Sequence, residues 1–121
     1  MSSEIHITEQ YALLDLNALL ITDPPATFFV RASGNSMIDV GIASGDVLVV
    51  DKGILAKDGD IVIAIVDGGF TVKRLYQRNG KQALLPENPD YQPIEFAEGQ
   101  TVEIWGVVTG CVKRFIRQPR H

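Results

Sequence analysis

Short apolar runs alternate with turn residues along most of the chain, beginning at residue 28. Each run is rich in valine, isoleucine or aromatic residues and is bounded by glycine, aspartate, asparagine or proline, a pattern typical of strands separated by tight turns. The runs cover residues 28–32, 47–51, 61–66, 70–76, 82–85 and 102–108. The pattern predicts a compact, mostly β domain of about six to eight short antiparallel strands.

Two of the intervals between runs carry hairpin-turn sequences. Asp67-Gly68-Gly69 separates the third run from the fourth, and Asn79-Gly80 separates the fourth from the fifth. Aspartate, asparagine and glycine tolerate the positive φ angles that two-residue hairpin loops require. We therefore expect a hairpin at each of these positions.

The N-terminal part of the chain is predicted to be a polar arm followed by one short helix. Residues 11–21 are rich in leucine and stop before Pro24-Pro25, and Asp15 or Asn17 is a candidate helix N-cap. The predicted division of the chain is a flexible N-terminal arm at 1–10, a folded domain at 11–116 and a C-terminal tail at 117–121.

The composition argues against two classes of function, nucleic-acid binding and membrane insertion. The 121 residues carry a net charge of −4, from 11 basic and 15 acidic side chains, which argues against broad electrostatic binding to nucleic acid. No apolar run approaches the roughly 18 residues of a membrane-spanning helix. The first residues also lack the charged-then-apolar pattern of a signal peptide. We therefore expect a cytoplasmic protein without direct DNA binding and without a membrane contact.

Cysteine and histidine are scarce. Cys111 is the only cysteine, so an internal disulfide is impossible, and its apolar neighbours indicate a buried structural thiol. The two histidines, His6 and His121, lie close to the ends of the chain. These residues make no plausible set of metal ligands, so we expect neither a metal site nor a cofactor.

The segment Ser33-Gly34-Asn35-Ser36-Met37 raises the question of a serine nucleophile between two predicted strands. The same segment is compatible with an ordinary turn serine that binds its own backbone. A nucleophilic serine needs a base within hydrogen-bond distance, and neither histidine is well placed for a Ser-His-Asp triad. Lysine is the alternative base, provided that burial among apolar groups lowers its pKa.

Lys73 is the lysine that fits this requirement. It lies inside the apolar run 70–76, whereas most other lysines stand beside aspartate, glycine or glutamine in evident loops. Strand alternation places Thr71 and Leu75 on the same face as Lys73. Because alternation alone does not say which face is buried, a solvent-facing strand lysine remains the competing interpretation.

Several segments resemble, in content and in order, the signature pieces of the LexA/UmuD family of self-cleaving serine–lysine peptidases. They are residues 32–37, 45–46, 58–62, 71–75, 84–89, 93–94 and 105–108. The separation of 37 positions between Ser36 and Lys73 also fits the family. Residues 15–34 look closer to the processed UmuD branch than to LexA. The resemblance implies the compact β domain of LexA and signal peptidases.

The resemblance also implies a chemistry. Ser36 would be the nucleophile, and Lys73, buried and neutral, would be its general base. The backbone N–H groups of Asn35 and Ser36 would form the oxyanion hole beside a tight turn at Gly34, and Met37 would pack at the lining of the cleft. The substrate would be a peptide bond of the N-terminal arm, between a small residue or cysteine and glycine.

The partners implied by the resemblance belong to the SOS response to DNA damage. Arm cleavage would be stimulated by a RecA filament on single-stranded DNA, which shifts the arm into the cleft without adding catalytic groups. The processed form would be a homodimer that joins a UmuC-like translesion polymerase as an accessory subunit of error-prone DNA synthesis.

One family feature is missing, because no Ala-Gly or Cys-Gly pair precedes Ser36. The chain is expected to be either the processed product or a short homologue that acts as a non-cleaving binding module with a vestigial dyad. It should not cleave its own arm, although an intact dyad would be able to cut an arm presented by another subunit. A third interpretation, the catalytic domain of a LexA-type repressor, is disfavoured by the match at 15–34 and by the acidic composition.

Overall fold

The structure is a computed structural model that describes residues 15–115. The strands of this part of the chain are β1 Thr27–Arg31, β2 Val47–Asp51, β3 Ile61–Val66, β4 Gly69–Arg78, β5 Lys81–Leu85, β6 Ile94–Glu95 and β7 Glu103–Val112. They form a seven-stranded sheet in the order β1-β2-β7-β3-β4-β5-β6, with every neighbouring pair antiparallel. The predicted fold class, a mostly β domain of short antiparallel strands, is confirmed.

Both predicted hairpins are present. β3 turns into β4 through Asp67-Gly68, and β4 turns into β5 through Asn79-Gly80. The φ angles of these four loop residues lie between 51° and 79°. Two successive positive φ values define the hairpin turn whose twist matches that of the flanking strands, which is why both loops contain aspartate or asparagine followed by glycine.

The predicted short helix is α1, Leu16–Leu20. Asp15 is its N-cap, because the Asp15 carboxylate accepts a hydrogen bond of 3.0 Å from the backbone N–H of Asn17. Of the two candidate caps in the sequence, the first is therefore the one used. The predicted arm at 1–10 and the predicted tail at 117–121 lie outside the described residues.

β7 lies inside the sheet, between β2 and β3, although it is the last strand in the chain. It pairs with β3 as far as Val107 and with β2 as far as Val112. Gly106 lies very close to β2, since a Cβ atom at this position would be 2.5 Å from Cγ1 of Val50. The C-terminal strand thus joins β1–β2 to β3–β6, and close contact at Gly106 is part of that junction.

In the described part of the chain, buried apolar residues form two clusters. One contains Met37, Leu48, Val50 and Ile63, and the other contains Val62, Ala64, Leu75, Leu84 and Val107. β3 contributes neighbouring residues to different clusters, so both faces of this strand are covered. This arrangement explains why β2 and β3 have nearly continuous apolar sequences instead of alternating ones.

Two details differ from the sequence-based expectations. β6 is an additional strand of two residues that pairs with Ala83 and Leu84. Cys111 is exposed, so the prediction of a buried thiol is wrong. The reason is that β7 continues past its pairing with β3, and Cys111 lies in the stretch that pairs only with β2. Partial desolvation and the nearby Asp46 carboxylate raise the pKa of this thiol.

β4 has an open edge at its beginning. Residues 69–74 pair with β3, whereas pairing with β5 starts only at Arg74. Among the described strands, residues 69–73 therefore have a neighbour on one side only. β1 is the end strand of the sheet, with β2 as its partner. The open beginning of β4 and the loop after β1 provide the residues of the candidate site.

Candidate active site

The loop after β1 carries the predicted serine. Ala32 fixes the start of this loop through backbone hydrogen bonds of 2.8 and 2.9 Å with residues 45–46. Gly34 has a φ of +82°, and no atom lies within 4 Å of a Cβ built there, so the backbone conformation and not crowding favours glycine. Met37, which follows Ser36, is 1% exposed. Ser36 thus lies between a tight turn and a buried side chain.

Ser36 and Lys73 meet despite their separation in sequence. The Nζ atom of Lys73 lies 3.1 Å from the Oγ atom of Ser36. Lys73 pairs with Val62 across β3 and β4 and is only 8% exposed. Leu75, on the same face of β4, is a core residue. The strand face whose direction the sequence left undecided is therefore the buried one.

Among residues 15–115, three oxygen atoms lie within hydrogen-bond distance of the Lys73 amine, in an arrangement that fits a neutral general base. Besides Ser36, Nζ contacts Oγ1 of Thr71 at 2.6 Å and the backbone oxygen of Val72 at 3.1 Å. An ammonium group would donate to all three oxygens. A neutral amine donates two hydrogen bonds, to Thr71 and Val72, and its lone pair then accepts the hydroxyl proton of Ser36. Thr71 was not predicted as a site residue, although strand alternation places it on the same face as Lys73 and therefore indicates that the two side chains are neighbours.

Burial lowers the pKa of Lys73 below its ordinary value of 10.5. The physical cause is desolvation, which disfavours the charged ammonium form. A neighbouring carboxylate would oppose this effect, but within residues 15–115 Lys73 forms no salt bridge. The neutral fraction of Lys73 at a given alkaline pH is therefore larger than that of a surface lysine, which is the direction a general base requires.

The backbone N–H groups of Asn35 and Ser36 are available beside the hydroxyl. In the part of the chain that the structure describes, neither donates a hydrogen bond to another residue. Both residues line the same cavity as Lys73. Unused N–H groups next to a nucleophile are the kind of donors that stabilise an oxyanion.

A cavity of about 320 Å³ lies against Ser36 and Lys73, within the size range of ligand pockets. Its wall includes Gly34, Thr71, Tyr91, Val30, Ile63 and Phe70. Gly34, which was expected to line the cleft, is among the lining residues of this cavity. Met37 is not among the lining residues, because its side chain packs into the core with Leu48. The position of Met37 supports a packing role but not direct contact with a bound peptide.

The site brings together a hydroxyl, a buried amine and two backbone N–H groups, which is a set suited to nucleophilic acyl transfer. Residues 15–115 contain no cluster of three or more potential metal-ligating side chains. The same described segment has no helix with the length and apolar character needed to cross a membrane.

The sequence matches a known family and several curated proteins. Residues 2–109 match the family described as Peptidase S24-like. The chain is 52% identical over 101 residues to Protein SamA of Salmonella typhimurium, covering 84% of this chain and 69% of SamA. It is 46% identical over 98 residues to Protein MucA of Escherichia coli, covering 79% and 66%. It is 39% identical over 102 residues to the LexA repressor of Bordetella parapertussis, covering 84% and 45%.

The chain belongs to the peptidase S24-like family, and the resemblance to the LexA/UmuD family is confirmed. The matched region contains every strand except the last residues of β7. The fold is accordingly of the peptidase type.

Proposed function

We propose that this chain is a UmuD-like endopeptidase of the SOS response that uses Ser36 and Lys73 as a catalytic dyad. The observation that carries the proposal is the 3.1 Å contact between Lys73 Nζ and Ser36 Oγ, at a lysine that is 8% exposed. A lysine in water would be protonated and unable to accept a proton, whereas a desolvated lysine is more readily neutral. Membership of the peptidase S24-like family supports the same chemistry.

The proposed reaction is acyl transfer in two stages. Neutral Lys73 accepts the hydroxyl proton of Ser36 while Oγ forms a bond to the carbonyl carbon of the scissile peptide. The carbonyl oxygen becomes an oxyanion, which the N–H groups of Asn35 and Ser36 stabilise. The C–N bond then breaks, and the Lys73 ammonium returns its proton to the leaving amine. In the second stage neutral Lys73 takes a proton from water while the water oxygen attacks the ester carbonyl. The bond from that carbonyl carbon to Oγ of Ser36 then breaks, and the Lys73 ammonium returns the proton to Oγ, which restores the Ser36 hydroxyl.

The proposed substrate is a bond between cysteine or a small residue and glycine in an N-terminal arm. The arm is presented either by a segment joined upstream or by another subunit. A RecA filament on single-stranded DNA stimulates the reaction by increasing the fraction of arm bound in the cleft. The identities of 52% with SamA and 46% with MucA, against 39% with the LexA repressor, support the UmuD-like assignment over the catalytic domain of a repressor.

The cleaved form is proposed to act in the cytoplasm as a homodimeric accessory subunit of a UmuC-like translesion polymerase. The end of β7 supports the dimer, because beyond Val107 one edge of this strand pairs with no described strand. An unpaired strand edge is suited to pairing with a second copy. Light scattering at micromolar concentration should give the mass of two chains, and the mass of one chain would contradict the dimer.

A cleavage assay on an extended chain tests the proposed activity. An arm that contains Cys-Gly is joined upstream of residue 1, and the protein is incubated near pH 10, where the lysine base is increasingly neutral. Ser36→Ala and Lys73→Ala should each abolish cleavage. Lys81→Ala is the matched control, because Lys81 is an exposed lysine of β5. This variant should cleave like the parent.

Loss of cleavage in both dyad variants, with cleavage retained in the control, is the expected result. Absence of cleavage in the parent, with the far-ultraviolet circular dichroism of a folded β protein, would refute the peptidase proposal. The protein would then be better described as a binding module that keeps the peptidase fold. Equal cleavage by the parent and Lys73→Ala would show that Ser36 uses another base.

A further inference from the structure

We propose that Asn88 is a positioning residue for the oxyanion hole, because its side-chain amide holds the peptide between Asn35 and Ser36. The inference rests on the proposed peptidase function and extends it to a loop, residues 86–90, that contributes no atom to the dyad. In this arrangement Asn88 fixes the direction of the Ser36 N–H group without touching the substrate.

The 86–90 loop, which follows β5, forms hydrogen bonds with the carbonyl groups of the serine loop. Nδ2 of Asn88 donates to the backbone oxygen of Asn35 at 2.8 Å. The N–H of Glu87 donates to the backbone oxygen of Ser36 at 2.7 Å, and the oxygen of Glu87 accepts from the N–H of Asp39 at 2.9 Å. Successive peptide groups on both sides of Ser36 are therefore held by the same loop.

Because the peptide group is planar, the hydrogen bond from Asn88 to the Asn35 oxygen also determines the direction of the Ser36 N–H group. The peptide between Asn35 and Ser36 is trans, as are all those of the described chain, so its C=O and N–H bonds point in opposite directions. The C=O points to Asn88, which is not a lining residue of the cavity, whereas Asn35 and Ser36 both are. The N–H of Ser36 consequently points away from Asn88, and the proposal is that this direction leads into the cavity that Ser36 lines.

A second hydrogen bond determines which end of the Asn88 amide faces Asn35. Oδ1 of Asn88 accepts a hydrogen bond of 3.0 Å from the N–H of Asp90. Rotating the amide by 180° would place oxygen against the Asn35 oxygen and an NH₂ group against the Asp90 N–H, so both bonds would be lost. The side chain therefore presents a donor, and only a donor, to the Asn35 carbonyl.

The same loop is joined to the strand that carries the general base. Nε of Arg74 lies 2.6 Å from Oε1 of Glu87, and Arg74 directly follows Lys73 on β4. The ion pair fixes the loop relative to Lys73, while Asn88 fixes the oxyanion donor relative to the loop. The proposed nucleophile, base and oxyanion donor are thus kept in one relative geometry.

The expected effect is smaller than that of deleting an oxyanion donor, which typically costs about 10²–10³ in kcat. The Asn35 oxygen also accepts a hydrogen bond of 3.2 Å from the N–H of Ile38, so loss of Asn88 leaves the peptide partly held. We expect kcat to fall about tenfold, because the Ser36 N–H is misdirected for part of the time. KM should stay within about twofold, since Asn88 is outside the cavity.

Kinetics in trans separate this role from a general loosening of the fold. The substrate is the Ser36→Ala chain with the upstream Cys-Gly arm, and the enzyme is the unextended chain. Asn88→Asp keeps the size and the acceptor of the side chain but removes the donor, and Asn88→Ala removes the donor without adding charge. Gln92→Glu is the matched control, because it makes the same amide-to-carboxylate change at an exposed position outside the cavity.

Both Asn88 variants should lose kcat while KM and the pH midpoint of the rate stay at the parent values, and Gln92→Glu should match the parent. An unchanged kcat would overturn the inference. A fall in kcat confined to Asn88→Asp would also overturn it, because it would indicate a charge effect. A joint change of kcat, KM and the pH midpoint would overturn it as well, because it would indicate a structural effect. An inactive parent would instead refute the proposed function.

A spectroscopic measurement tests the orientation even in an inactive protein. Hydrogen bonding to a carbonyl deshields the amide nitrogen of the following residue, so the ¹⁵N resonance of Ser36 reports the contact with Asn88. We expect an upfield shift of this resonance in Asn88→Asp and Asn88→Ala, and none in Gln92→Glu. An unshifted Ser36 resonance in both Asn88 variants would overturn the inference whatever the activity of the parent.

Discussion

Thr71→Val tests whether the protonation state of Lys73, and not only the presence of its amine, controls cleavage. Valine has nearly the shape of threonine, so the change removes the oxygen 2.6 Å from Nζ and leaves the contacts with Ser36 and Val72. A hydrogen bond to a charged group contributes about 1.5–3 kcal/mol, against about 0.5–1.5 kcal/mol between neutral groups. Thr71 therefore stabilises the ammonium form more than the neutral amine, by about 1 kcal/mol.

Loss of this preference should move the pH dependence of cleavage in a defined direction. Removing an acceptor from the ammonium form lowers the pKa of Lys73 further, so the rising limb of the rate should move to lower pH. Because 1.36 kcal/mol corresponds to one pH unit, a difference of about 1 kcal/mol moves the midpoint by about 0.7 pH unit. The rate on the alkaline plateau should fall several-fold, since one of the two acceptors that orient the neutral amine is gone.

The assay is single-turnover cleavage of the chain extended with the Cys-Gly arm, followed from about pH 7 to pH 11. Thr71→Ser is the matched control, because it keeps the hydroxyl and should give the parent midpoint. A midpoint that stays in place or moves to higher pH in Thr71→Val would refute the reasoning, since Thr71 would then not favour the ammonium form.

Three further predictions concern stability. Lys73→Met should raise the free energy of unfolding in urea at pH 7 by about 1 kcal/mol, because a buried charge is removed. Burial lowers the pKa of Lys73 in the folded state, so this stabilisation should shrink as the pH rises towards the ordinary value of 10.5. A stabilisation that grows with pH would contradict the direction of the pKa shift. Gly106→Ala should destabilise by about 1–3 kcal/mol, because its Cβ would meet Cγ1 of Val50 at 2.5 Å, and an unchanged urea midpoint would contradict that close approach. Met37→Ala should cost about 2–5 kcal/mol, since Met37 is 1% exposed, whereas a cost below 1 kcal/mol would place Met37 outside the core.

The strands and hairpins were predictable because their signals are local. The apolar runs of β2 and β3 match the observed strand bounds, and the Asp67-Gly68 and Asn79-Gly80 loops carry their own conformational preferences. β6 has only two residues, so it lacks any periodic signal, and its strand character comes from pairing with β5. Cys111 was misjudged because the run of apolar neighbours does not reveal where the sheet stops covering β7.

The candidate site was predictable in its residue types but not in its arrangement. Alternation put Lys73, Thr71 and Leu75 on one face, yet the choice between core and solvent depends on packing among distant strands. The partnership of Asn88 with Asn35 joins two loops 53 positions apart in sequence. Neither loop carries a pattern that indicates the other, so this contact is a product of the tertiary fold.

The claim on which the proposed mechanism depends is that burial beside Ser36 lowers the pKa of Lys73 below its ordinary value of 10.5. Titration of the lysine side chains by ¹³C NMR, with Lys73→Arg used to assign the resonance, measures this property without any substrate. We predict that the resonance that disappears in Lys73→Arg titrates below the ordinary lysine value of 10.5. Titration of Lys73 at or above the ordinary lysine value of 10.5 would contradict its role as a general base.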